Sequence, residues 1–445
     1  MSHLFPEFTS SDKELNITYR YRCELYQKHI KKTPNGHVIT EFLPDVPWGG
    51  IYNTINCAAS HHFREGRWRC DPSVMYEYAR FWCNEGDPRY YSFPIADSFF
   101  ELAKVTGSTD ELKELYSRLA EIHRAWDDHK TPEGMYRQNC GYDGMEHSIS
   151  GNGIRPTINS YMYADKVALS KIAALAEDAE ATKKYREEAE LLRNRINSAL
   201  WNSTTGMYGV ISKEGEGQNV RELIGYIPWM YDLPEDGRDD CFKYLLDPTC
   251  FAGKYGLRTA EASHPDYRKS IRHECLWNGP VWPFATSQTL TAVIEYLNNT
   301  ESPTVTPTDF MRMLLTYAYS QRDTDGSPYI DENMDPDTGA WLAREIMRKW
   351  NQPDKDPERG RHYNHSTFID LIITGVCGIR PAMEDKLVIR PLGTSLDAFS
   401  LRNITYHGHK ICIDWKCDDG LRVSVDGDRE YFCPSGTNVI LKIDL

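Results

Sequence analysis

The chain has 445 residues, and its 51 Lys and Arg against 65 Asp and Glu leave a formal net charge of −14. An acidic surface repels polyanions, so the composition excludes nucleic acid as an expected partner. No apolar run reaches the roughly 18 residues that a membrane helix needs, and no signal-peptide-like apolar segment follows Met1, so we expect no membrane association and a cytoplasmic location.

Up to about residue 380 the pattern predicts helices joined by long, irregular connections. The clearest helical period runs through Tyr163, Val167, Ile172 and Leu175. Most helices are expected in antiparallel pairs, and long loops inside a compact domain usually carry function, so a ring of helical hairpins whose loops converge on one face fits the pattern. Helices are predicted within residues 10–32, 71–86, 94–129 (two helices joined at TGSTD), 155–201 (two helices), 237–246, 281–298, 307–321, 339–350 and 364–378.

After residue 380 the pattern changes. Short, alternating, β-branched segments such as GLRVSVDGDREYFC and TNVILKIDL, punctuated by Gly and Asp, are typical of an antiparallel sheet. We therefore predict a mainly α fold with two domains: helical hairpins over residues 1–380 and a small C-terminal antiparallel β domain over residues 381–445. The polar stretch NQPDKDPERGRH is predicted to form a surface loop or a lid.

The cysteines and aromatic residues indicate which ligands the protein is expected to bind. The twelve cysteines are scattered, with no CxxC pair and no zinc spacing, so we predict reduced, mostly buried thiols, no metal and no cofactor. Aromatics make up 12% of the residues, and many lie in loop-like stretches such as VPWGGIYN, which contains Trp48, and GRWRCDP. Flat aromatic faces with polar edges suit the faces and hydroxyl rims of sugars, although large helical cores also use Trp and Tyr.

Three loop segments combine carboxylates with glycine or aromatic residues. The first, DGMEHSISGNG at residues 143–153, lacks any apolar period and places Asp143 three residues before Glu146. The second, CLWNGPVWPFATSQTL, crowds two tryptophans at the start of a helix. Carboxylates beside aromatics favour acid–base chemistry on a neutral ligand. The third segment, SPYIDENMDPDTGAW, contains Asp331, Glu332, Asp335 and Asp337.

These segments resemble those of the (α/α)6-barrel glycosidases, the clan that includes glycoside hydrolase family 63, the trehalases and the mannosylglycerate hydrolase group. GMEHS, residues 144–148, is similar to the clan's GMDNSP loop, so the resemblance implies that Glu146 is the general acid. ENMDPDTG is similar to the base-bearing EYYNPxTG, which implies that Glu332 is the general base. WNGPVW, residues 277–282, is similar to WRGPVW, and GRWRCDP more weakly resembles an early Trp–Asp element that contacts substrate.

The resemblance implies an (α/α)6 toroid and a set of substrate contacts around the two glutamates. Glu146 stands where the clan has aspartate and Asn278 where it has arginine, so the clan's sugar preference does not carry over. The tail YNHSTFIDLIITGVCGIRP also resembles that of α-L-rhamnosidase-type members, which widens the choice of sugar. Asp143 competes with Glu146 for the acid role. The predicted substrate-binding residues are Trp48, Arg67, Trp68, Asp71, Asp143, His147, Trp277, Asn278 and Trp282.

The resemblance further implies an inverting hydrolase, and we expect exo action on an α-linked, glucoside-like bond in a small oligosaccharide or glycoside, a small carbohydrate substrate. Such enzymes hold their two carboxyl groups about 6.5–9.5 Å apart so that a water molecule fits between them. Burial against Trp277 or Trp282 is expected to raise the pKa of Glu146 and keep it protonated. Glu332 is expected to stay ionised and to activate the water.

Other functions remain open from the sequence. A sugar epimerase on a helical-hairpin barrel needs two histidines facing each other across the cavity, and the chain has 14. A non-catalytic sugar-binding protein needs one glutamate turned away, and a polysaccharide lyase needs more Lys and Arg near the site. Asp331, Asp335 and Asp337 are a minority candidate for calcium, and RHYNH, with His362 and His365, for another metal. The sequence does not indicate an oligomeric state.

Overall fold

The computed structural model of the protein describes residues 4–350, 356–436 and 439–445. None of the helices in these ranges is long and apolar enough to cross a membrane. The described helices are α1 (Lys13–Lys28), α2 (Ala59–Gly66), α3 (Ser73–Asn84), α4 (Ile95–Thr106), α5 (Asp110–Ala125), α6 (Pro156–Leu175), α7 (Ala179–Ala199), α8 (Pro283–Asn299), α9 (Pro307–Ser320), α10 (Leu342–Trp350) and α11 (Phe368–Asp370).

Local signals explain where several helices begin. Asp12 caps α1, where its side chain accepts a hydrogen bond from the Leu15 amide at 2.8 Å. Thr306 and Asp309 form a reciprocal capping box at the start of α9. Helices α6, α8 and α9 each begin with proline, whose missing N–H costs nothing at that position.

Two predicted helices take other forms and one helix was not predicted. The predicted helix at 237–246 is a 3-10 segment, Asp239–Leu246. The predicted helix at 364–378 is α11 followed by a π-helical segment, Leu371–Val376. Helix α2 and the 3-10 segment Leu223–Tyr231 were not predicted, because their buried polar residues and their proline break the apolar period.

The strands are distributed along the whole chain. β10, β11, β12 and β13 form an antiparallel meander, and β1, from the beginning of the chain, adds to its edge beside β10, with Phe8 opposite Leu401. The strands are β1 (Glu7–Ser10), β2 (Ile30–Thr33), β3 (Gly36–Ile39), β4 (Arg137–Gln138), β5 (Gly153–Ile154), β6 (Trp201–Asn202), β7 (Met207–Tyr208), β8 (Ile379–Arg380), β9 (Lys386–Ile389), β10 (Ala398–Tyr406), β11 (His409–Lys416), β12 (Gly420–Val425), β13 (Arg429–Pro434) and β14 (Leu441–Asp444).

The predicted fold class, a mainly α toroid with its strands in a C-terminal β domain, is therefore wrong. Strands occur from residue 7 onward, β1 completes the five-stranded sheet, and the pairs β2–β3, β4–β5 and β6–β7 lie among the helices. These strands have two to four residues, so they are too short to show the alternation that reveals a strand in sequence. The predicted domain boundary near residue 380 stays a prediction.

Two central helices set the position of the acidic loops. Helix α6 packs against α4, α5, α7 and the segment Leu223–Tyr231, and α8 packs against that segment and α9. Both are buried over most of their surface, as expected for helices in the middle of a core. The loop that contains Glu146 leads into α6, and the Trp277–Trp282 segment leads directly into α8, so both loops are fixed on rigid elements.

Candidate active site

The three segments that the sequence analysis singled out meet at one cavity of about 330 Å³. A pair of backbone hydrogen bonds between Val281 and Met334, at 2.8 and 2.9 Å, joins the second segment to the third. The Trp277 amide donates to the Glu146 carbonyl at 3.0 Å and joins the second to the first. The cavity is lined by Glu41, Phe42, Trp48, Ile55, Cys57, Tyr90, Tyr91, Gly144, Glu146, His273, Glu274, Cys275, Trp282, Glu332, Arg359 and Tyr363.

Glu146 is partly buried in the cavity wall. Burial, together with the negative charges of Glu332 and Glu274, raises the pKa of Glu146 to about 7, while its own backbone amide and Arg359 oppose the shift. A carboxyl group in this environment keeps its proton near neutral pH. Glu146 can therefore donate a proton to a bound molecule.

Glu332 lies in the same cavity in a different environment. Its side chain is 2% exposed, and Arg359 Nε donates to its Oε1 atom at 3.0 Å. Cys275 Sγ donates to the other oxygen, Oε2, at 3.2 Å. A buried carboxyl group with a guanidinium partner and a second donor is stabilised in its charged form. Glu332 can therefore accept a proton.

Arg359 belongs to the stretch that was predicted to be a surface loop or a lid, whose residues 351–355 lie outside the described residues. It is 4% exposed, it bonds Glu332, and its Nη2 donates to Glu274 at 2.9 Å. Its guanidinium carbon lies 5.0 Å from the centre of the Trp48 ring. The loop comes this close because a Cβ atom at Gly360 would lie 2.1 Å from Asp331 Oδ1, so only glycine fits there.

Three of the predicted substrate-binding residues surround this arrangement. Trp48 and Trp282 line the cavity, and Trp277 stacks on Trp282 with ring centroids 4.5 Å apart. Asn278 is buried and its side-chain amide donates to the Lys269 carbonyl at 3.0 Å, so its NH₂ group is used within the protein. His147 is exposed and its ring contacts that of His273 beside the cavity, with centroids 4.6 Å apart and planes tilted by 58°.

The structure places four other predicted site residues away from the lining of this cavity. Arg67 and Trp68 both donate to Asp370, at 2.7 to 2.9 Å from Arg67 and 2.6 Å from Trp68. Asp71 is exposed and accepts from the Ser73 amide at 3.0 Å, so it braces the start of α3. The remaining residue, Asp143, is bound to Arg155.

Asp143 forms a fully buried ion pair in which Arg155 Nε donates to its Oδ2 atom at 2.5 Å. Burial raises the pKa of Asp143, and Arg155 opposes this shift. Breaking such a pair from one side leaves an uncompensated buried charge. This pair joins the acidic loop to the start of α6 and thereby holds the loop in place.

We expect Arg155→Met to lower the free energy of unfolding by about 3–5 kcal/mol, because Asp143 loses its buried partner. Urea unfolding followed by tryptophan fluorescence measures the change. Arg186→Met, at an exposed position on α7, is the matched control and should change stability by less than about 0.5 kcal/mol. Equal stability of the two variants would contradict the assigned role of the ion pair.

The acidic cluster at the third segment is held by arginines. Arg268 donates to Asp335 at 2.5 Å, and Arg258 donates to Asp337 at 3.0 Å. Within the described part of the chain, no group of three or more His, Cys, Asp or Glu side chains is arranged to hold a metal ion. All twelve cysteines are free thiols.

The polar residues of the cavity that were not predicted include Glu41, Glu274, Arg359 and Tyr363. Glu41 lies just after β3, in a stretch with no motif of its own, and is 1% exposed. Tyr363 Oη donates to Glu41 Oε1. Glu274 directly precedes the Trp-rich segment, which is the one signal in the sequence that could have drawn attention to it.

Comparison with solved structures identifies this architecture in other proteins. A protein described as a sialidase has a TM-score of 0.91 and 35% sequence identity, over 98% of this chain and 41% of that chain. The GH63 mannosylglycerate hydrolase from Thermus thermophilus, in complex with glucose, has a TM-score of 0.56 and 12% identity, over 75% of this chain and all of that one. The GH78 rhamnosidase of a Bacillus species has a TM-score of 0.61 and 13% identity, over 93% and 40%. The last two likenesses concern the fold alone.

A curated relative is more distant in sequence. A protein of Borreliella burgdorferi, described as uncharacterized, is 22% identical over 180 residues, which are 39% of this chain and 38% of that protein. The chain thus spans about two fifths of the length of this relative and of the sialidase. Whole-protein activities therefore do not transfer by similarity.

A family match covers most of the chain. Residues 51–366 match the family described as the mannosylglycerate hydrolase MGH1-like glycoside hydrolase domain. This range contains all three acidic or aromatic segments and both glutamates of the cavity. It confirms the resemblance predicted from the motifs, and the chain belongs to the MGH1-like glycoside hydrolase domain family.

Proposed function

We propose that this protein is an inverting glycoside hydrolase in which Glu146 is the general acid and Glu332 is the general base. The observation that carries the proposal is the contrast between two carboxyl groups in one cavity. Burial raises the pKa of Glu146 to about 7, whereas Glu332 is paired with Arg359 at 3.0 Å. Two titratable groups with opposite surroundings are what acid and base roles require.

The reaction follows from these roles. Glu146 donates its proton to the glycosidic oxygen as the bond between that oxygen and the anomeric carbon breaks. Glu332 removes a proton from a water molecule on the opposite face of the sugar, and the water oxygen bonds to the anomeric carbon. The products are an alcohol and a sugar of inverted anomeric configuration. At the end Glu146 is ionised and Glu332 is protonated, so a proton exchange with solvent restores the enzyme.

The cavity favours a small, neutral substrate. Its volume of about 330 Å³ is at the lower end of the range of about 300–1,000 Å³ for ligand pockets, which supports exo action on a small α-linked, glucoside-like molecule. Among the described residues, four glutamates line it, and the one arginine there, Arg359, is bound to two of them. Sialosides and mannosylglycerate carry a carboxylate, which this charge distribution repels, so we propose a different substrate from those named for the sialidase and the GH63 enzyme.

The test is a panel of α- and β-linked glucosides, mannosides, galactosides and rhamnosides, with a sialoside and mannosylglycerate included. Proton NMR follows the anomeric configuration of the first sugar released. We expect release from a neutral glycoside with inversion and none from the two anionic compounds. Retention of configuration would overturn the mechanism, and preferred cleavage of an anionic compound would overturn the substrate class.

The geometry supports hydrolysis over epimerisation. His273 is the histidine in the described lining of the cavity, and its ring lies 4.6 Å from that of His147, which is too close for a sugar to fit between the two. An epimerase of the kind considered above needs two histidines on opposite faces of the sugar. The four carboxyl groups of the cavity suit the acid and base of a hydrolase.

The proposal predicts how activity depends on pH. Glu146 must be protonated to act as the acid, and its pKa is raised to about 7, so we expect kcat/KM to fall above about pH 7, approaching tenfold per pH unit. Initial rates between pH 5 and 9 measure this profile. The control is Glu146→Gln assayed with a substrate whose leaving group needs no proton, which should lose the alkaline limb. An alkaline limb that persists in this variant would assign the titration to another group.

A further inference from the structure

We propose that Glu41 binds a hydroxyl group of the substrate's sugar and that Tyr363 positions it for this role. The inference rests on the proposed glycosidase function, and it identifies a specificity-determining residue in addition to the acid and the base. Three observations support it: Glu41 is held in one orientation, one of its carboxyl oxygens has no hydrogen-bond partner among the described residues, and other carboxyl groups lie around it.

Glu41 is held firmly from two sides. Its carbonyl accepts a hydrogen bond from the Asn364 amide at 2.9 Å, and Tyr363 Oη donates to its side-chain Oε1. The Tyr363 ring is itself packed between Phe42, at a centroid distance of 4.6 Å, and His365, at 3.8 Å. The carboxyl group therefore has one orientation in the cavity wall, and such preorganisation is what binding a defined hydroxyl requires.

The second carboxyl oxygen of Glu41 is the unusual feature. Oε2 is buried, and no donor among the described residues lies within hydrogen-bond distance of it. A buried polar atom without a partner costs about 1–3 kcal/mol, so native structures seldom keep one without a reason. Glu41 lines the same cavity as Glu146 and Glu332, and a ligand in that cavity can supply the partner.

The chemistry of the site selects a hydroxyl group. Burial raises the pKa of Glu41 to about 8, although the Tyr363 hydrogen bond opposes this shift, and the charges of Glu332 and Glu146 add to it. A neutral carboxyl group both donates and accepts hydrogen bonds, as a sugar hydroxyl does. A ligand carboxylate would meet the charge of Glu332. A site built to bind a hydroxyl rejects analogues that lack it.

The experiment compares wild type with Glu41→Gln and Glu41→Leu. Glutamine keeps a donor and an acceptor in the same shape, whereas leucine keeps the volume alone. The substrates are the glycoside that the wild type cleaves best and its set of monodeoxy analogues. We expect Glu41→Leu to lower kcat/KM by about 10–100-fold and glutamine to restore most of it. One monodeoxy analogue should lack the hydroxyl that Glu41 binds. On that analogue the kcat/KM values of wild type and Glu41→Leu should differ by less than about threefold, because the contact with Glu41 is already absent.

Several results would overturn the proposal. One is that removing a hydroxyl from the substrate lowers kcat/KM by the same factor in wild type and in Glu41→Leu, for every monodeoxy analogue. Another is an activity of Glu41→Gln that recovers only on substrates with activated leaving groups, which would make Glu41 the acid. Circular dichroism and thermal melting check that the variants fold. If Glu41→Leu does not fold, Glu41→Gln is compared with wild type by the ratio of kcat/KM on each monodeoxy analogue to kcat/KM on the parent glycoside. Identical ratios for every analogue overturn the proposal, and a change in the ratio for one hydroxyl alone supports it.

A binding measurement separates this proposal from the proposed function. Calorimetry measures the binding of D-glucose, D-mannose, D-galactose and L-rhamnose to wild type and to both Glu41 variants, with no turnover. Binding that depends on Glu41, without release of sugar from any glycoside, overturns the hydrolase and keeps the Glu41 site. Turnover whose kcat/KM and sugar binding do not depend on Glu41 overturns the Glu41 site and keeps the hydrolase.

Discussion

Replacing either Glu146 or Glu332 with glutamine should lower kcat by about 10²–10⁴-fold, because each group contributes that much as a general acid or base. Glutamine has nearly the same shape, so KM should change far less than kcat. The measurement is steady-state kinetics on the best glycoside of the panel. Glu190→Gln, at an exposed position on α7, is the matched control and should retain wild-type turnover.

The leaving group distinguishes the two roles. A glycosyl fluoride or a dinitrophenyl glycoside leaves without a proton, so such a substrate should restore much of the activity of Glu146→Gln. Such a substrate should not restore the activity of Glu332→Gln, because in that variant the attacking water has no base. If both variants respond alike to the leaving group, the assignment of acid and base is wrong even though the cavity is the active site.

The sequence was informative where loops combine carboxylates with aromatics outside any periodic segment. The stretches that contain Glu146, Trp282 and Glu332 cannot belong to the apolar face of a helix, so their chemistry is visible without a structure. The structure brings the three to one cavity. Their roles in catalysis stay predictions until the glutamine variants have been measured.

The sequence was least informative where polar residues are buried. Helix α2 contains His62, whose Nε2 donates a hydrogen bond to the Asn364 carbonyl at 2.8 Å, and Glu65, which pairs with Arg22 at 3.1 Å. Such residues resemble a surface loop in sequence, because their partners lie 302 and 43 positions away in the chain. Glu41 and Arg359 were missed for the same reason. The short strand β1 was missed because its partner, β10, lies at the other end of the chain.

Arg359 is the residue on which the base depends. Its Nε atom contacts Glu332 at 3.0 Å and its Nη2 atom contacts Glu274 at 2.9 Å. Burial acts to lower the pKa of Arg359, but the charges of Glu332 and Glu274 outweigh this effect, so the pKa is raised. One guanidinium thus donates to two buried carboxylates at once, and an arginine can do this because its planar fork has several fixed donors.

We expect Arg359→Met to lower the free energy of unfolding by about 3–5 kcal/mol and to lower kcat/KM at neutral pH. Glu332 and Glu274 then face each other without a cation, so one of them binds a proton more readily, and the acid limb of the kcat/KM profile moves to higher pH. Urea unfolding and rates between pH 4 and 8 measure both effects. Arg361→Met, at an exposed position in the same loop, is the control and should match wild type.

A second variant separates charge from loop placement. Adding Glu274→Gln to Arg359→Met removes one of the two repelling charges, so the acid limb should move back toward its wild-type position if Arg359 acts through Glu332. Arg359→Lys keeps a charge but has no planar fork, so it should fall between wild type and Arg359→Met. If the acid limb stays at its wild-type pH in Arg359→Met while stability falls, then Arg359 only anchors the loop.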